Sequence, residues 1–171
     1  QTQLPVSEVI AQKLPKSLML MVMAQIIALA VAIPVGVYSA YRAGRAIDRA
    51  TSVASFGLLS IPNFALGVIV LQFFALRNQW LPASFDDTSI GTRIHSLFMP
   101  ATVLGLGIAA TYQRLLRTDL LTTLQEDFVH MARAKGMTDR HIMIRHALRP
   151  SLFSLITVFG VSTGGLIGGS L

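Results

Sequence analysis

The stretch that decides the fold is SLMLMVMAQIIALAVAIPVGVYSAY, residues 17–41, which holds 25 residues and no charged side chain. A helix needs about 20 mostly apolar residues to cross the hydrocarbon core of a bilayer. Three further uncharged stretches occupy residues 50–76, 97–113 and 151–171, and neutral residues extend the third stretch back to residue 96. The sequence therefore predicts four membrane-spanning helices, at about 17–41, 50–76, 96–113 and 151–171.

The composition supports the same class of protein. Hydrophobic residues make up 53% of the chain and charged residues 13%, whereas an average soluble domain is about 25% charged. We therefore predict an all-α integral membrane protein, with one transmembrane helix bundle over residues 1–171. The chain lacks an initiator Met, and its last predicted span ends without a flanking charge. We expect that it is a segment of a longer protein, cut at both ends.

The net charge of +6 predicts an orientation in the membrane. Lys and Arg accumulate in cytoplasmic loops, and they concentrate here in residues 42–49 and 114–149. These two segments lie on the same side of the membrane if the spans alternate. We therefore place both in the cytoplasm and residues 77–96 outside, and we expect no nucleic-acid partner.

The predicted spans contain no Asp, Glu, Lys, Arg or His, and the whole chain contains no Cys. Ionisable residues inside a membrane usually mark proton relays or ion sites, so their absence argues against an ion-coupled carrier in this segment. The chain also lacks a G-x-x-x-x-G-K-[ST] phosphate loop. We predict no catalytic residue and no metal site, and we expect a partner protein to supply energy.

Small residues recur at helical spacing in the first and last spans, where they allow helices to approach closely in lipid. Such a face serves either packing within the chain or the interface with a second membrane subunit, and the sequence leaves both open. Pro34, Pro62 and Pro100 are expected to kink their helices. The small residues predicted to serve helix packing or a permease interface are Ala28, Ala32, Gly36, Gly160, Gly164 and Gly168.

The chain interrupts its apolar spans with a charged segment, HMARAKGMTDRHIMIRHALRP, residues 130–150. We call residues 124–150 the charged loop. The pattern predicts one helix that continues the third span from Arg114 to Lys135, where Gly136 ends it through a left-handed conformation. Its predicted apolar stripe consists of Leu116, Leu120, Leu121, Leu124, Phe128 and Met131.

A second short helix is predicted after the glycine. Thr138 is a suitable N-cap, with the acid Asp139 in the first turn, and the helix is expected to end near Leu148. It should expose Arg140, Arg145 and Arg149, and its predicted buried residues are Ile142, Ile144, Ala147 and Leu148.

Three interpretations of the charged loop compete. It is a solvated positive loop, a DNA-binding helix-turn-helix, or a docking element for a cytoplasmic motor protein. Two spans only about 35 residues apart hold it at both ends, which leaves little room to enter a DNA groove.

The segment EDFVHMARAKGMTDRHIMIRHALRPSL, residues 126–152, resembles the cytoplasmic "EAA" loop of type I ABC importer permeases, most closely the dipeptide/oligopeptide branch. SIPNFALG, LPASF and PVSEVIAQKLPKSL are similar to other parts of that branch, so the resemblance covers nearly the whole chain. His130 and Met131 stand where the generic motif has Glu and Ala, a departure shared with the peptide branch.

This resemblance implies a polytopic helix bundle whose two-helix coupling loop seats in a cleft on an ATP-binding subunit. It implies a second homologous permease subunit, two cytoplasmic ATP-binding subunits that hold ATP and Mg²⁺, and an extracytoplasmic solute-binding protein, all at the bacterial inner membrane. This chain itself would need no cofactor. The residues it assigns to the ATPase-coupling loop are Glu126, Asp127, Ala132, Arg133, Ala134, Lys135, Gly136, Met137, Arg140 and Arg145.

Several alternatives remain open from the sequence. Trp80, Asp86 and Asp87 lie in the external segment, where a binding protein could touch the chain. The resemblance favours di- or oligopeptides as solute, but relatives in that branch carry nickel, glutathione or other small solutes. An ion-coupled carrier and a membrane scaffold that transports nothing are the competing classes.

Overall fold

The computed structural model describes residues 6–78, 82 and 88–168, and all of the regular elements in these residues are helices. The prediction of an all-α fold is confirmed. Two π-helical segments, Leu71–Arg77 and Ile142–Ala147, continue α3 and join α6 to α7. The α-helices are α1 Val6–Tyr41, α2 Ala46–Ser60, α3 Asn63–Val70, α4 Ile90–Thr123, α5 Asp127–Ala134, α6 Asp139–His141 and α7 Leu148–Gly168.

Three helical stretches are long and apolar enough to cross a bilayer, namely Lys13–Tyr41, Ile90–Thr123 and Asp139–Gly165. A fourth candidate is the pair Ala46–Ser60 and Asn63–Arg77, which is bent by 100°. The limits that the sequence gives for the four spans stay predictions.

The bend between α2 and α3 is a full break where the sequence predicts a kink in one span. Ile61 is extended, with φ −90° and ψ 121°, because a residue that precedes proline is disfavoured in the helical region. Pro62 then accepts the first hydrogen bonds of α3, from the backbone N–H groups of Ala65 and Leu66. The proline therefore ends one helix and begins the next.

Both halves of this broken span follow α4 in one antiparallel order. From the start of α2 to the end of α3, successive residues contact α4 residues with decreasing residue numbers. This is the arrangement expected of one membrane span that is interrupted in the middle. The pairs are Asp48 with Arg117, Ser55 with Gln113, and Gly67 with Val103.

Helices α1 and α4 run parallel and pack through small residues. Ala24, Ala28 and Ala32 are fully buried, and a Cβ on Gly105 would lie 2.9 Å from the carbonyl oxygen of Ala24. Close approach of this kind lets van der Waals contact hold helices together in lipid. The small-residue face of α1 therefore serves packing within the chain.

Hydrogen bonds in the core join α1, α4 and α7. The hydroxyl of Tyr112 donates to Oε1 of Gln25 at 3.0 Å, and Nε2 of Gln25 donates to the hydroxyl of Thr163 at 3.2 Å. Near the charged loop, the hydroxyls of Thr123 and Ser151 lie 3.1 Å apart. Pairing of polar side chains across helices avoids the cost of an unsatisfied group in an apolar core.

Replacement of Gly105 tests the contact between α1 and α4. We expect Gly105→Ala to destabilise the full-length protein by about 1–3 kcal/mol, because the added methyl group overpacks against the backbone of α1. Thermal unfolding in detergent micelles measures the loss. Gly57→Ala is the matched control, since nothing lies within 4 Å of its Cβ position; an equal loss in both variants would contradict the close contact.

Candidate functional site

The charged loop begins with a break in the helix that the sequence predicts as continuous from Arg114 to Lys135. Helix α4 ends at Thr123, and the N–H groups of Gln125 and Glu126 bond to carbonyls only three residues earlier. Glu126 is extended and occupies the N-cap position of α5, although its side chain makes no capping bond. Asp127 lies in the first turn, where a negative charge is favourable.

This break changes which face of α5 is buried, so the predicted apolar stripe is wrong beyond Leu124. Val129 and Ala132 pack inward against Ile142, whereas Phe128 and Met131 are exposed. The connection at residues 124–126 interrupts the helical turns, so the 3- and 4-residue spacing of α4 does not continue into α5. Sequence reasoning missed the exposed pair.

Ala132 therefore needs a correction. The resemblance assigns it to the coupling surface, but only 6% of it is exposed because it fills the cluster between α5 and the π-helical segment. It supports the loop from within and is not free to contact a partner. The other residues predicted for the coupling loop are all exposed, namely Glu126, Asp127, Arg133, Ala134, Lys135, Gly136, Met137, Arg140 and Arg145.

Gly136 ends α5 as the sequence predicts. Its φ is +79°, a left-handed conformation that glycine adopts without steric cost. The N–H of Gly136 bonds to the carbonyl of Arg133, and the N–H of Met137 bonds to that of Ala132. These two bonds form a Schellman motif, which sets the direction of the corner and leaves Met137 at its exposed tip.

The second helix starts at its predicted cap, because the Thr138 hydroxyl accepts a bond from the N–H of His141 at 3.4 Å. The structure corrects its end: the helix continues through a π-helical segment into α7 and does not stop near Leu148. The π-turn adds a residue and rotates the later part of the helix about its axis. Met143 is consequently buried, and Ile144, which the sequence predicts as buried, is exposed.

The charged loop exposes apolar side chains among basic residues. Phe128 and Met131 lie three residues apart on one exposed face of α5, and Met137 is exposed at the corner. Arg133 contributes an exposed ion pair with Asp139, at 3.6 Å. Exposed apolar groups rimmed by charges are typical of protein–protein contact sites.

A buried ion pair joins the first turn of α2, just after its connection to α1, to α4. Asp48 is 4% exposed and accepts bonds from Nε and Nη2 of Arg117, the second at 2.8 Å. It also accepts from the hydroxyl of Ser39 at 2.6 Å and the N–H of Gly44 at 2.8 Å. The sequence reasoning missed this pair; the only signal was a single acid among the basic residues 42–49.

A cavity of about 330 Å³ separates this connection from the charged loop. Arg42, Arg45, Arg133 and Asp139 are its charged lining residues. Basic side chains of the connection between α1 and α2 and of the charged loop therefore face the same cavity.

The residues predicted for helix packing divide into two groups. Ala28 and Ala32 are buried in the core, and a Cβ on Gly36 would lie 3.2 Å from the carbonyl oxygen of Gln113. Gly160 and Gly164 meet no atom within 4 Å in the described part of the chain, so their use in a permease interface stays a prediction. The surroundings of Gly168 are outside the described residues, as are Trp80, Asp86 and Asp87.

The buried pair should matter far more to stability than the exposed one. Asp48→Asn leaves Arg117 without its counter-charge, and we expect a loss of about 3–5 kcal/mol. Asp139→Asn disrupts an exposed pair and should cost at most about 1 kcal/mol. Thermal unfolding of the full-length variants in detergent checks both values; equal losses would contradict the structural role of Asp48.

Comparison with known proteins identifies the family of the chain. A family model described as "Binding-protein-dependent transport system inner membrane component" matches residues 32–171. The chain is 38% identical to the oligopeptide transport system permease protein AppB of Bacillus subtilis over 172 residues, 98% of this chain and 54% of that protein. The match confirms the resemblance carried by the charged loop.

Two other relatives are also named as permease proteins. A protein of Sinorhizobium fredii named "probable peptide ABC transporter permease protein" is 33% identical over 98% of this chain and 55% of its own length. The glutathione transport system permease protein GsiC of Salmonella choleraesuis is 30% identical over 98% of this chain and 53% of its own length. The chain thus spans about half the length of the relatives it matches.

Proposed function

Because this chain belongs to the family of binding-protein-dependent transport system inner membrane components, we propose that it is part of the permease subunit of an ATP-driven ABC importer for di- or oligopeptides. The family is one of membrane permeases and not of enzymes, and the chain is a multi-pass protein of the bacterial inner membrane. ATP hydrolysis, with its Mg²⁺, would take place in partner subunits.

The observation that carries the proposal is the exposed surface of the charged loop. Its apolar side chains at Phe128 and Met131 lie outside while Val129 and Ala132 form its own core. Apolar side chains that cluster on one exposed face are typical of a contact site. The geometry fits a coupling element that inserts α5 and the Gly136 corner into a groove on an ATP-binding subunit.

The fixed base of the loop supports the same role. The hydroxyl contact between Thr123 and Ser151 and the inward packing of Val129 against Ile142 hold the loop to α4 and α7. A partner that moves the loop would therefore move the membrane helices. Two ATP-binding subunits, a second homologous permease subunit and an extracytoplasmic binding protein complete the proposed assembly.

Peptides are the favoured solute because relatives named for oligopeptide and peptide transport cover nearly the whole chain. Glutathione is a second candidate, since one relative is named for its transport. Uptake assays with labelled dipeptides, oligopeptides and glutathione, with the cognate binding protein supplied, distinguish these solutes.

Crosslinking tests the docking of the charged loop. Residues 1–171 contain no Cys, so Met137→Cys gives one thiol in this region at the tip of the corner. When the ATP-binding subunit carries a Cys in its groove, we expect this thiol to form a crosslink whose yield changes with ATP. Thr118→Cys, exposed on α4 outside the loop, is the matched control.

The opposite result is equally informative. If no crosslink forms although the assembly is intact, and solute uptake is independent of ATP, the charged loop is a solvated segment. The ion-coupled carrier and the scaffold would then replace the proposed function.

The side chain of Met131 offers a second test. It is 62% exposed, so Met131→Gln should leave stability nearly unchanged, yet reduce ATP-driven uptake about tenfold or more by removing an apolar contact at the interface. Met131→Leu keeps the apolar contact and should retain uptake. Equal uptake by both variants would argue against docking through this face.

A further inference from the structure

A cavity of about 400 Å³ lies at the break between α2 and α3. Its volume is within the range of about 300–1,000 Å³ that is typical of small-molecule sites. Asn63, Thr111 and Ser162 supply its polar side chains from α3, α4 and α7. The remaining lining residues are all uncharged, namely Leu58, Leu59, Ile61, Pro62, Gly107 and Ile108.

The three polar side chains have no hydrogen-bond partner among residues 6–78, 82 and 88–168. Other hydroxyls in these helices bond to a carbonyl one turn earlier, as Ser60 does to Phe56 and Thr163 to Phe159. Those of Thr111 and Ser162 make no such bond in the described chain. A polar group without a partner is costly in an apolar environment, so these groups are suited to water or a polar ligand.

The cavity lies among uncharged stretches of the chain. Asn63 starts α3 at the break of the bent pair, Gly107 is near the middle of Ile90–Thr123, and Ser162 lies in the uncharged stretch 151–171. Three helices thus contribute uncharged turns to one space. Solute sites of secondary transporters lie beside interrupted helices, and this cavity likewise lies beside an interrupted helix.

The broken backbone points to a hydrated space. Ile61 and Pro62 are non-helical, exposed, and line the cavity. Irregular backbone at membrane depth is tolerated only where protein buries it or where it lines a water-filled cavity. Both residues line the cavity, so a hydrated space here would meet this requirement.

Gly107 brings the amide of Asn63 against α4. A Cβ at Gly107 would lie 3.1 Å from Oδ1 of Asn63, closer than ordinary contact, so the missing side chain leaves room for the amide at this point. The amide has both donors and an acceptor, and each hydroxyl can act as either.

We propose that this cavity is a contact site for the transported solute and that it accepts uncharged hydrogen-bonding groups, namely peptide N–H and C=O groups. The inference rests on the proposed function and identifies where the solute touches the permease. Because the lining carries no charge, the site recognises the peptide backbone and does not discriminate between side chains of opposite charge.

Thiol labelling of the full-length permease, assembled with its partners in membrane vesicles and free of other Cys, tests the proposal. We expect Ser162→Cys and Thr111→Cys to react with a membrane-impermeant maleimide applied from either side. A transported peptide should slow both reactions when binding protein and ATP are present. Val161→Cys is the matched control: Val161 is adjacent to Ser162 and 72% exposed but does not line the cavity, so we expect it to face lipid and to react little.

Uptake by a second variant gives an independent measure. Thr111→Val keeps the shape of the side chain and removes its hydroxyl. We expect a roughly three- to tenfold reduction in peptide uptake, which is the effect of one lost hydrogen bond, with unchanged assembly and unchanged crosslinking at Met137→Cys.

The results separate the two proposals. If the wild-type complex takes up peptide with ATP but both thiols are unreactive, or react without protection by peptide, another helix or bulk water fills the cavity and the solute site is overturned while the proposed function stands. If the wild-type complex takes up no peptide, the proposed function fails and the solute site fails with it.

Discussion

The arrangement of these helices depends on one buried ion pair, that of Asp48 with Arg117. Four donors converge on a carboxylate that solvent barely reaches. The Asp48 carboxylate alone would be strongly unfavourable in this position, so the first turn of α2 has to meet α4 at this level. The start of α2 is thereby fixed, and the broken span that continues from it is aligned along α4.

The parallel contact of α1 with α4 completes a rigid base for the charged loop. Small side chains let these helices meet almost backbone to backbone, and a hydrogen-bonded chain from Tyr112 through Gln25 to Thr163 ties α7 to them. The charged loop joins the ends of α4 and α7. It can therefore expose apolar side chains to a partner without loss of its own fold, since Val129 and Ile142 supply its core.

The sequence predicted the features that depend on the chemistry of neighbouring residues. It missed the features that depend on which face of a helix is buried. Uncharged stretches indicated the membrane class, and Gly136 and Thr138 marked a helix end and a cap. Pro62 was expected only to kink a span, and it breaks the helix instead. The break at Glu126 escaped because no glycine or proline marks it, and every later residue of the stripe was then placed on the wrong face. The π-turn displaced Ile144 for a similar reason. Asp48 and Arg117 are 69 positions apart, and no periodicity connects them.

The unbroken course of the chain from Asp139 to Gly168 has a mechanical consequence. The hydroxyl contact of Ser151 with Thr123 lies partway along this rod, about 18 Å from Asp139 and about 17 Å from Ser162 at the rise of a helix. A rod that tilts about that point acts as a lever with nearly equal arms. A displacement of the Asp139 end then reappears near Ser162 with about the same amplitude and the opposite direction.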